Sequence, residues 1–518
     1  MSSNKSIARS AGIIGFATLV SRILGFARDI IFAAFFGTGL YAQAFVVAFR
    51  IPNILRDLIG EGAANAAVVP VLVEELAKKG EKRFWELANI LLNVTLLVLS
   101  ALTITGFILA KPLVIVIAFG FLEDPTKLDV TVALTRALFP YLILIGLAAY
   151  GMGVLNSVKH FTAPAFGMSM LNVSLITCML LWRGDVKGLV VGVLFGGLLQ
   201  VLIQIPALLR RGLVLDQRKF LDPEVKKIGR LLVPRVFGGG IYQINIIIST
   251  MLASLGGIVG AGAIAALHFS SRIWQFPLAV FAFALAQAAL PTLSGHMAKG
   301  DMENFKKSLN FLLRSVSFIL LPASAGLIAL SVPITRTLFQ RGAFGAYSTM
   351  ITSSALFFYA WGLLSYGCIK ILVNGYYSMQ DTKTPVKVAA FSLVLNIVLS
   401  LLLMFPLKIG GIALANSISG IFNCTVLFLI LRKKIGGIGE KNIMGSFARI
   451  LTASVLMGIF ASRFYIYLGN VFAQGVLFAS IFRLGLTIIT SAILYLLLCQ
   501  LLRVEEAREL RTWILKRR

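Results

Sequence analysis

Long apolar segments separated by short polar gaps constrain the fold of this chain more than any other feature. A transmembrane helix needs about 20 consecutive apolar residues, and we find fourteen segments of sufficient length. They cover approximately residues 8–36, 41–76, 84–118, 129–157, 161–182, 187–210, 226–254, 261–297, 305–334, 347–377, 384–406, 409–431, 444–468 and 476–502. The pattern predicts an all-α polytopic membrane protein with about fourteen transmembrane helices. Pro52, Gly60 and Gly62 interrupt the second segment, which predicts a broken or kinked helix there.

The composition excludes most soluble classes of protein. Only 13% of the 518 residues are charged and 58% are hydrophobic, whereas a soluble domain is about 25% charged. A cytosolic enzyme, a nucleic-acid-binding module and a disordered chain are therefore disfavoured. Four cysteines lie in separate apolar segments without a CxxC pair, so neither a disulfide framework nor a zinc site is indicated.

The distribution of basic residues predicts the orientation. The chain carries 48 Lys and Arg against 21 Asp and Glu. Alternate gaps, together with both termini, hold about 30 of the basic residues, and the opposite set of gaps holds about 8. Because basic loops face the cytoplasm, we expect both termini in the cytoplasm. The excess of positive charge then indicates membrane anchoring, and we expect no nucleic-acid partner.

An internal repeat divides the chain. The pattern Phe84-x4-Asn89-x-Leu-Leu recurs as Phe305-x4-Asn310-x-Leu-Leu, a shift of 221 residues. A unit of this length holds six spans, and an even number preserves orientation, so the sequence predicts two parallel six-helix repeats around a central cavity. We expect an N-terminal lobe at 1–215, a C-terminal lobe at 216–435, two extra helices at 436–503 and a basic amphipathic tail at 504–518.

Several arginines fall inside the predicted spans and suggest an anionic ligand. Arg22, Arg28 and Arg56 lie on the first two spans, and Arg272 lies on the eighth. Arg22 and Arg28 are six residues apart, so their side chains point about 120° apart around a helix and can border one cavity. A cation in low dielectric is costly unless an anion accompanies it, and arginine binds phosphate oxygens in a bidentate manner. We therefore expect a phosphate or diphosphate ligand.

Other interpretations of these residues stay open. Arg28 with Asp29, and Arg56 with Asp57, could be structural ion pairs. A membrane enzyme would need a carboxylate or histidine cluster, and no such motif is found, so we expect no enzymatic activity. Buried polar residues on spans 7, 11 and 12 could line a monovalent cation site or form interhelical hydrogen bonds. These residues are Asn245, Asn396, Ser400 and Asn416.

Four segments of this sequence resemble the MurJ (MviN) family of bacterial lipid II flippases, within the multidrug/oligosaccharidyl-lipid/polysaccharide exporter superfamily. They are residues 21–29 (SRILGFARD), 48–56 (AFRIPNILR), 60–63 (GEGA) and 375–385 (GYYSMQDTKTP). The resemblance extends over essentially the whole chain. It implies a flippase that moves an undecaprenyl-diphosphate-linked peptidoglycan precursor across the membrane by alternating access. A flippase for another diphosphate-linked glycan, such as an O-antigen or capsule unit, is the alternative.

The resemblance also implies roles for particular residues. Arginines matching Arg22, Arg28, Arg56 and Arg272 line the family's cavity and meet the diphosphate, and Glu61 matches a family acid. The two extra helices are implied to form a groove for the lipid tail. We accordingly expect the substrate site to include Ser21, Asn53, Glu61 and Gln43, the last of which stands where many members have Asp. Beyond the lipid-linked diphosphate glycopeptide and membrane lipids we expect no partner, no cofactor except a possible monovalent cation, and a monomer.

Overall fold

The structure, a computed structural model, describes residues 2–56, 65–213, 220, 222–471 and 477–508, and this part of the chain consists of helices joined by short loops, without strands. The helices are α1 (Ser2–Phe36), α2 (Leu40–Arg56), α3 (Asn65–Ile108), α4 (Ala110–Ile117), α5 (Pro125–Leu138), α6 (Tyr141–Ser157), α7 (Thr162–Leu181), α8 (Val186–Leu202), α9 (Ile205–Leu209), α10 (Pro223–Ala253), α11 (Gly256–Val259), α12 (Ala263–Pro277), α13 (Phe283–Ala298), α14 (Met302–Ala329), α15 (Ser331–Phe339), α16 (Ala346–Ala360), α17 (Leu363–Ser378), α18 (Lys383–Leu407), α19 (Ile409–Ile435), α20 (Glu440–Val471) and α21 (Leu477–Leu501). A 3₁₀ turn at Phe119–Glu123 and a π-helical turn at Leu278–Ala282 join neighbouring helices.

The helices confirm a polytopic membrane protein. Ten helical stretches of the described residues are long and apolar enough to cross a membrane, and the bent pair α16 and α17 makes an eleventh. Three further helices, α1, α2 and α10, coincide with the first, second and seventh predicted segments. Together they agree with the fourteen spans that the hydropathy pattern predicts.

A break within α3 falls where the sequence places a loop. Gly60 and Gly62, which interrupt the second predicted segment, lie outside the described residues, between the end of α2 at Arg56 and the beginning of α3 at Asn65. Although α3 is 44 residues long, Gly80 has φ 80° and ψ −177° within it, so two helices meet there. A straight helix of that length would be far longer than a bilayer is thick. Glycine adopts this backbone conformation without steric cost, and it lies in the gap between the second and third predicted segments.

The chain forms two compact units. Unit 1 contains 1–255 and 341–344, and unit 2 contains 256–340 and 345–518. The short segment 341–344 belongs to unit 1 because the amide of Ala343 donates a 2.8 Å hydrogen bond to the carbonyl of Ala34 on α1. The lobe boundaries derived from the repeat, at 215 and 435, stay a prediction.

Each unit has its own apolar core. In unit 1, Phe84 and Leu87 of α3 pack with Tyr150 and Val154 of α6, and the Tyr150 hydroxyl donates to the carbonyl of Ala88 at 2.9 Å. Burial of these aromatic and aliphatic side chains stabilises the packing of α3 on α6.

Helices α20 and α21, the two that lie outside the repeat, pack against α14 in unit 2. Ile450 and Met457 of α20 and Cys499 of α21 are buried with Leu321 of α14. The hydroxyl of Tyr495 donates to the carbonyl of Phe318 at 2.7 Å, which satisfies a polar group that burial would otherwise penalise.

The residues that directly follow α21 contact α14 and α20 through charged and polar side chains. Glu506 is 7% exposed and accepts hydrogen bonds from Nε of Arg314 on α14 and from Oγ of Ser446 on α20. Arg314 also pairs with Glu505. Of the predicted amphipathic tail, residues 509–518 lie outside the described residues.

Acidic residues in the loops cap helices. Asp124, Asp185 and Asp301 accept hydrogen bonds from backbone amides in the first turns of α5, α8 and α14. Asp381 accepts from the amide and hydroxyl of Thr384 at 3.0 and 2.7 Å, and from Lys434 at 2.9 Å. The Lys434 hydrogen bond and these Thr384 contacts hold the pKa of the Asp381 carboxyl far below its usual range. Within the segment 375–385, Asp381 thus satisfies a backbone amide in the first turn of α18.

Candidate functional site

The two arginines of α1 have different surroundings. Arg22 is exposed, and within the described residues no carboxylate lies within ion-pair distance of it. Arg28 is largely buried, with 16% of its side chain exposed. Their separation of six positions places the two side chains on different faces of α1. Arg22 is therefore available to an external anion, whereas Arg28 is held by the protein.

Arg28 is bound by two neighbouring side chains. Its Nε and Nη2 donate to Oδ1 of Asp29 at 3.1 and 2.7 Å. Its Nη1 donates to Oδ1 of Asn172 on α7 at 3.1 Å. Asp29 is 3% exposed, so the ion pair is shielded from water and from screening by salt. The structure thus contains an ion pair between Arg28 and Asp29. The sequence had left such a pair open beside the binding of an anionic ligand.

Asn172 connects α7 to two positions of α1. Besides accepting from Arg28, its Nδ2 donates to the carbonyl of Ser21 at 3.1 Å. Ser21 thus contributes a backbone oxygen to this cluster. The sequence reasoning did not single out Asn172, although a polar side chain inside an apolar span is the signal that could have found it.

On α2, the residues expected in the substrate site are only partly described. Asn53 is half-buried, and its Oδ1 is shielded from solvent without a hydrogen-bond partner among the described residues. The side chain of Arg56 and the whole of Glu61 lie outside the described residues. Arg50, one turn before Asn53, donates to the hydroxyl of Thr250 on α10. An unsatisfied buried amide oxygen is costly, and a hydrogen-bond donor on a ligand would relieve that cost.

Gln43 forms hydrogen bonds with Thr38 and Lys127. It is 5% exposed, its Nε2 donates to the carbonyl of Thr38 at 3.3 Å, and its Oε1 accepts from Nζ of Lys127 on α5 at 3.2 Å. Lys127 also lies 4.2 Å from the ring centre of Phe121. The hydrogen bonds of Gln43 thus join α2 to α5 and do not involve the arginines.

Unit 2 presents two basic residues near the π-helical turn. Arg272 is exposed on α12, and Lys370 is exposed on α17. Nζ of Lys370 lies 4.9 Å from the ring centre of Phe283, which directly follows the π-helical turn. No carboxylate among the described residues pairs with Lys370. Turns of this kind are often found at functional sites, and the sequence analysis did not assign Lys370 to the site.

The residues considered for a cation site lie in different environments. Asn396 and Ser400 are one turn apart on α18 and are 2% and 1% exposed. Oγ of Ser400 has no hydrogen-bond partner in the described part of the chain. Asn416 on α19 accepts a hydrogen bond from the hydroxyl of Tyr366, and Asn245 belongs to α10 in unit 1.

Neutral oxygens alone make a weak site for a metal ion, because hard cations prefer carboxylate ligands. No group of three or more His, Cys, Asp or Glu side chains that could hold a metal occurs in the described ranges.

Comparison with known proteins gives consistent matches over most of the chain. The sequence model of the family described as "Lipid II flippase MurJ" matches residues 32–486. A relative from Rhizobium tropici, "Probable lipid II flippase MurJ", is 37% identical over 462 residues, which are 86% of this chain and 84% of that protein.

Solved structures agree with these matches. The structure described as "Lipid II flippase MurJ, inward closed conformation" matches with a TM-score of 0.77 at 25% identity and covers 94% of this chain and 98% of that chain. An inward-facing multidrug transporter of the MATE family in the MOP superfamily matches with a TM-score of 0.68 at 14% identity and covers 81% and 96% of the two chains. The second likeness concerns the fold alone.

Proposed function

The chain belongs to the MurJ family of lipid II flippases and moves lipid II across the bacterial inner membrane, and we propose that its arginines bind the diphosphate of this lipid during alternating access. The observation that carries the proposal is Arg22, a cation that is exposed on a membrane-spanning helix without a carboxylate partner in the described residues. In such a setting a diphosphate supplies the compensating charge.

Arg28 has a related but distinct role in this proposal. Asp29 offsets much of its charge, and the bonds to Asp29 and Asn172 fix the direction of its guanidinium group. A fixed guanidinium binds phosphate at a smaller entropic cost than a mobile one. We assign Ser21, Asn53, Arg56 and Glu61 to the same substrate site on the strength of the family resemblance. Gln43 contributes through its link to Lys127.

The second unit contributes its own cations. Arg272 is assigned to the diphosphate by the family resemblance, and the exposure of Lys370 without an acidic partner supports adding it. The groove for the lipid tail is assigned to residues 436–503, which contain α20 and α21.

The proposed arrangement in the membrane follows the charge of the loops. Both termini face the cytoplasm, and the lobes at 1–215 and 216–435 alternate access as a monomer. The protein works without enzymatic activity and without a cofactor, and Asn245, Asn396, Ser400 and Asn416 act in packing rather than as a cation site. The absence of a carboxylate from this group supports that assignment.

The family match favours lipid II over another diphosphate-linked glycan. Both substrates present the same diphosphate to the arginines, so charge alone does not distinguish them. No feature of the described residues favours the second substrate.

The proposal is tested by flipping of fluorescent lipid II in vesicles that contain the purified protein. The fraction of label that an external quencher reaches would be followed over time. We expect Arg22→Glu to abolish flipping and Arg210→Glu, an exposed arginine that directly follows α9 and lies outside the site, to leave it unchanged. Normal flipping by Arg22→Glu would contradict the arginine site, and equal flipping of an O-antigen lipid would contradict selectivity for lipid II.

A further inference from the structure

A cavity of about 360 Å³ lies within unit 2, away from the residues assigned to the substrate site. It is formed by α15, the last turns of α20 and the beginning of α21, together with the end of α14. The residues that define its chemistry are Arg336, Tyr465, Gly469, Asn470 and Arg483. Among the described residues that line it there are two arginines and no acidic residue.

Arg483 is fixed within this cavity by Tyr465. Its Nε donates to the carbonyl of Tyr465 at 2.7 Å, and Nη2 donates to the same oxygen. The guanidinium carbon lies 3.7 Å from the centre of the Tyr465 ring, in a cation–π contact. In the described part of the chain Nη1 makes no hydrogen bond. The guanidinium is therefore held in one orientation and keeps a donor for a ligand.

Gly469 provides the space that this orientation needs. A Cβ atom at position 469 would lie 2.7 Å from Cζ of Arg483 and 2.8 Å from its Nη1, which is closer than side-chain atoms approach each other. Any side chain at this position would displace the guanidinium. The glycine thus offers a way to move Arg483 without removing its charge.

The second arginine adds an unpaired charge. Arg336 is exposed at the cavity, and no carboxylate among the described residues pairs with either Arg336 or Arg483. Two cations without acidic neighbours attract an anion, and the planar guanidinium group matches phosphate oxygens.

The position of the cavity indicates that the anion belongs to a lipid. It lies at the end of α20 and the beginning of α21, where two membrane-spanning helices leave the bilayer. Val332 and Ile466 in its lining are 44% and 59% exposed, so apolar chains can lie beside the arginines. We propose that this cavity binds the phosphate head group of an anionic membrane lipid. With the orientation proposed above, that lipid belongs to the outer leaflet.

Arg483 and Arg336 meet the phosphate oxygens in this site, and the acyl chains follow the surfaces of α20 and α21. The head group occupies the space beside Asn470, whose exposed side chain can hydrogen-bond to a polar head group. The site does not depend on binding of lipid II by the arginines of α1 and α12, because none of those residues lines it.

Native mass spectrometry of the purified full chain tests the proposal. The ligands are phosphatidylglycerol, undecaprenyl diphosphate, diacylglycerol and inorganic phosphate. We expect a phosphate-bearing lipid to bind best, and Arg336→Gln with Arg483→Gln to weaken its binding by at least about tenfold, since a hydrogen bond to a charged group contributes enough for such a change. Arg210→Gln, at an exposed arginine that directly follows α9 and lies outside both proposed sites, is the matched control. Gly469→Ala should weaken binding while both charges remain.

Each outcome decides a part of the proposal. Strongest binding of phosphatidylglycerol identifies a phospholipid, and strongest binding of undecaprenyl diphosphate identifies the carrier lipid; both support a lipid-phosphate site. Equal binding of diacylglycerol, full competition by inorganic phosphate, or unchanged binding by the double variant would overturn it. If the double variant does not fold, as judged by thermal unfolding, Arg336→Gln and Gly469→Ala give the same comparison. Lipid II flipping is measured separately, so its loss or retention does not affect the result.

Discussion

Arg28 on α1 and Asn172 on α7 are joined by a 3.1 Å hydrogen bond inside unit 1, and the same asparagine donates to the carbonyl of Ser21. One side-chain amide therefore holds two turns of the helix that carries Arg22 and Arg28. The same hydrogen bonds therefore stabilise the packing of α7 on α1 and fix the position of Arg28.

Two substitutions of Asn172 distinguish the effect of its hydrogen bonds on stability from the effect of an added charge on lipid II binding. Asn172→Ala removes both hydrogen bonds and should lower the free energy of unfolding by about 1–2 kcal/mol. Asn172→Asp adds a carboxylate beside Arg28 and should also weaken lipid II binding, because it competes with the diphosphate for the guanidinium. Thermal unfolding and native mass spectrometry with lipid II measure the two effects. Tighter lipid II binding by Asn172→Asp would contradict the proposed role of Arg28.

Arg22 and Arg28 should respond differently to the same substitution. Arg22→Gln should weaken lipid II binding with a change in stability below about 0.5 kcal/mol, because Arg22 is an exposed side chain away from structural contacts. Arg28→Gln should weaken binding and also lower stability by about 2–3 kcal/mol, because buried Asp29 loses its charged partner. Equal losses of stability in the two variants would show that Arg22 is also a structural residue.

Asp381 is predicted to stabilise the fold without contacting substrate. Asp381→Ala removes the cap of α18 and the pair with Lys434, and should lower the free energy of unfolding by about 1 kcal/mol. The rate of flipping per folded molecule should remain that of the wild type. A slower rate at equal amounts of folded protein would give Asp381 a role in transport.

The depressed pKa of Asp381 also sets the pH at which its contribution is lost. The contribution is fully present above the pKa of the unfolded chain, near pH 4, and disappears as the pH falls through the lower folded pKa. Denaturation curves of the wild type and of Asp381→Ala should therefore differ by the same amount from pH 6 to 8 and converge in acid. Divergence in acid would reverse the sign of the predicted linkage.

Glu506 is predicted to hold the end of α21 against α14 and α20. Glu506→Gln keeps the shape of the side chain but leaves Arg314 without its buried partner, and should cost about 2–4 kcal/mol. Glu505→Gln is the matched control, since Glu505 pairs with the same arginine but is 63% exposed and should cost less than about 1 kcal/mol. Hydrogen exchange at residues 503–508 and thermal unfolding measure both. Equal effects of the two variants would contradict the importance of the buried pair.

Transport is predicted to be independent of sodium. The polar residues on α10, α18 and α19 offer amide and hydroxyl oxygens without a carboxylate, and Asn416 is already bound to Tyr366. Flipping rates in sodium and in potassium should agree, and Ser400→Ala should leave them unchanged. A rate that rises with sodium concentration and is lost in Ser400→Ala would establish a cation site.

The membrane spans could be predicted from the sequence because a bilayer imposes a length and a composition on each helix. The gap before Phe84 was likewise visible, since Gly80 and four basic residues near it interrupt the apolar pattern. The π-helical turn at Leu278–Ala282 and the 45° bend between α16 and α17 were not visible. Both depend on packing against other helices, which hydropathy does not record.

The candidate site could be predicted only as a set of residue types. An arginine in an apolar segment signals a buried charge, which identified Arg22 and Arg28 together. Their different surroundings depend on Asn172, which is 144 positions from Arg28 along the chain. Gln43 was assigned by its position in a motif, whereas its hydrogen bonds go to Thr38 and Lys127. Such pairings arise from tertiary contacts that one sequence does not reveal.

The affinity of the purified protein for lipid II tests the central claim most directly. It would be measured for the wild type, Arg22→Gln, Arg272→Gln and the control Arg210→Gln, with a neutral isoprenoid as the second ligand. We predict at least about a tenfold loss of lipid II affinity in the first two variants, wild-type affinity in the control, and no change for the neutral isoprenoid. Unchanged lipid II affinity in both variants would contradict an arginine site for the diphosphate.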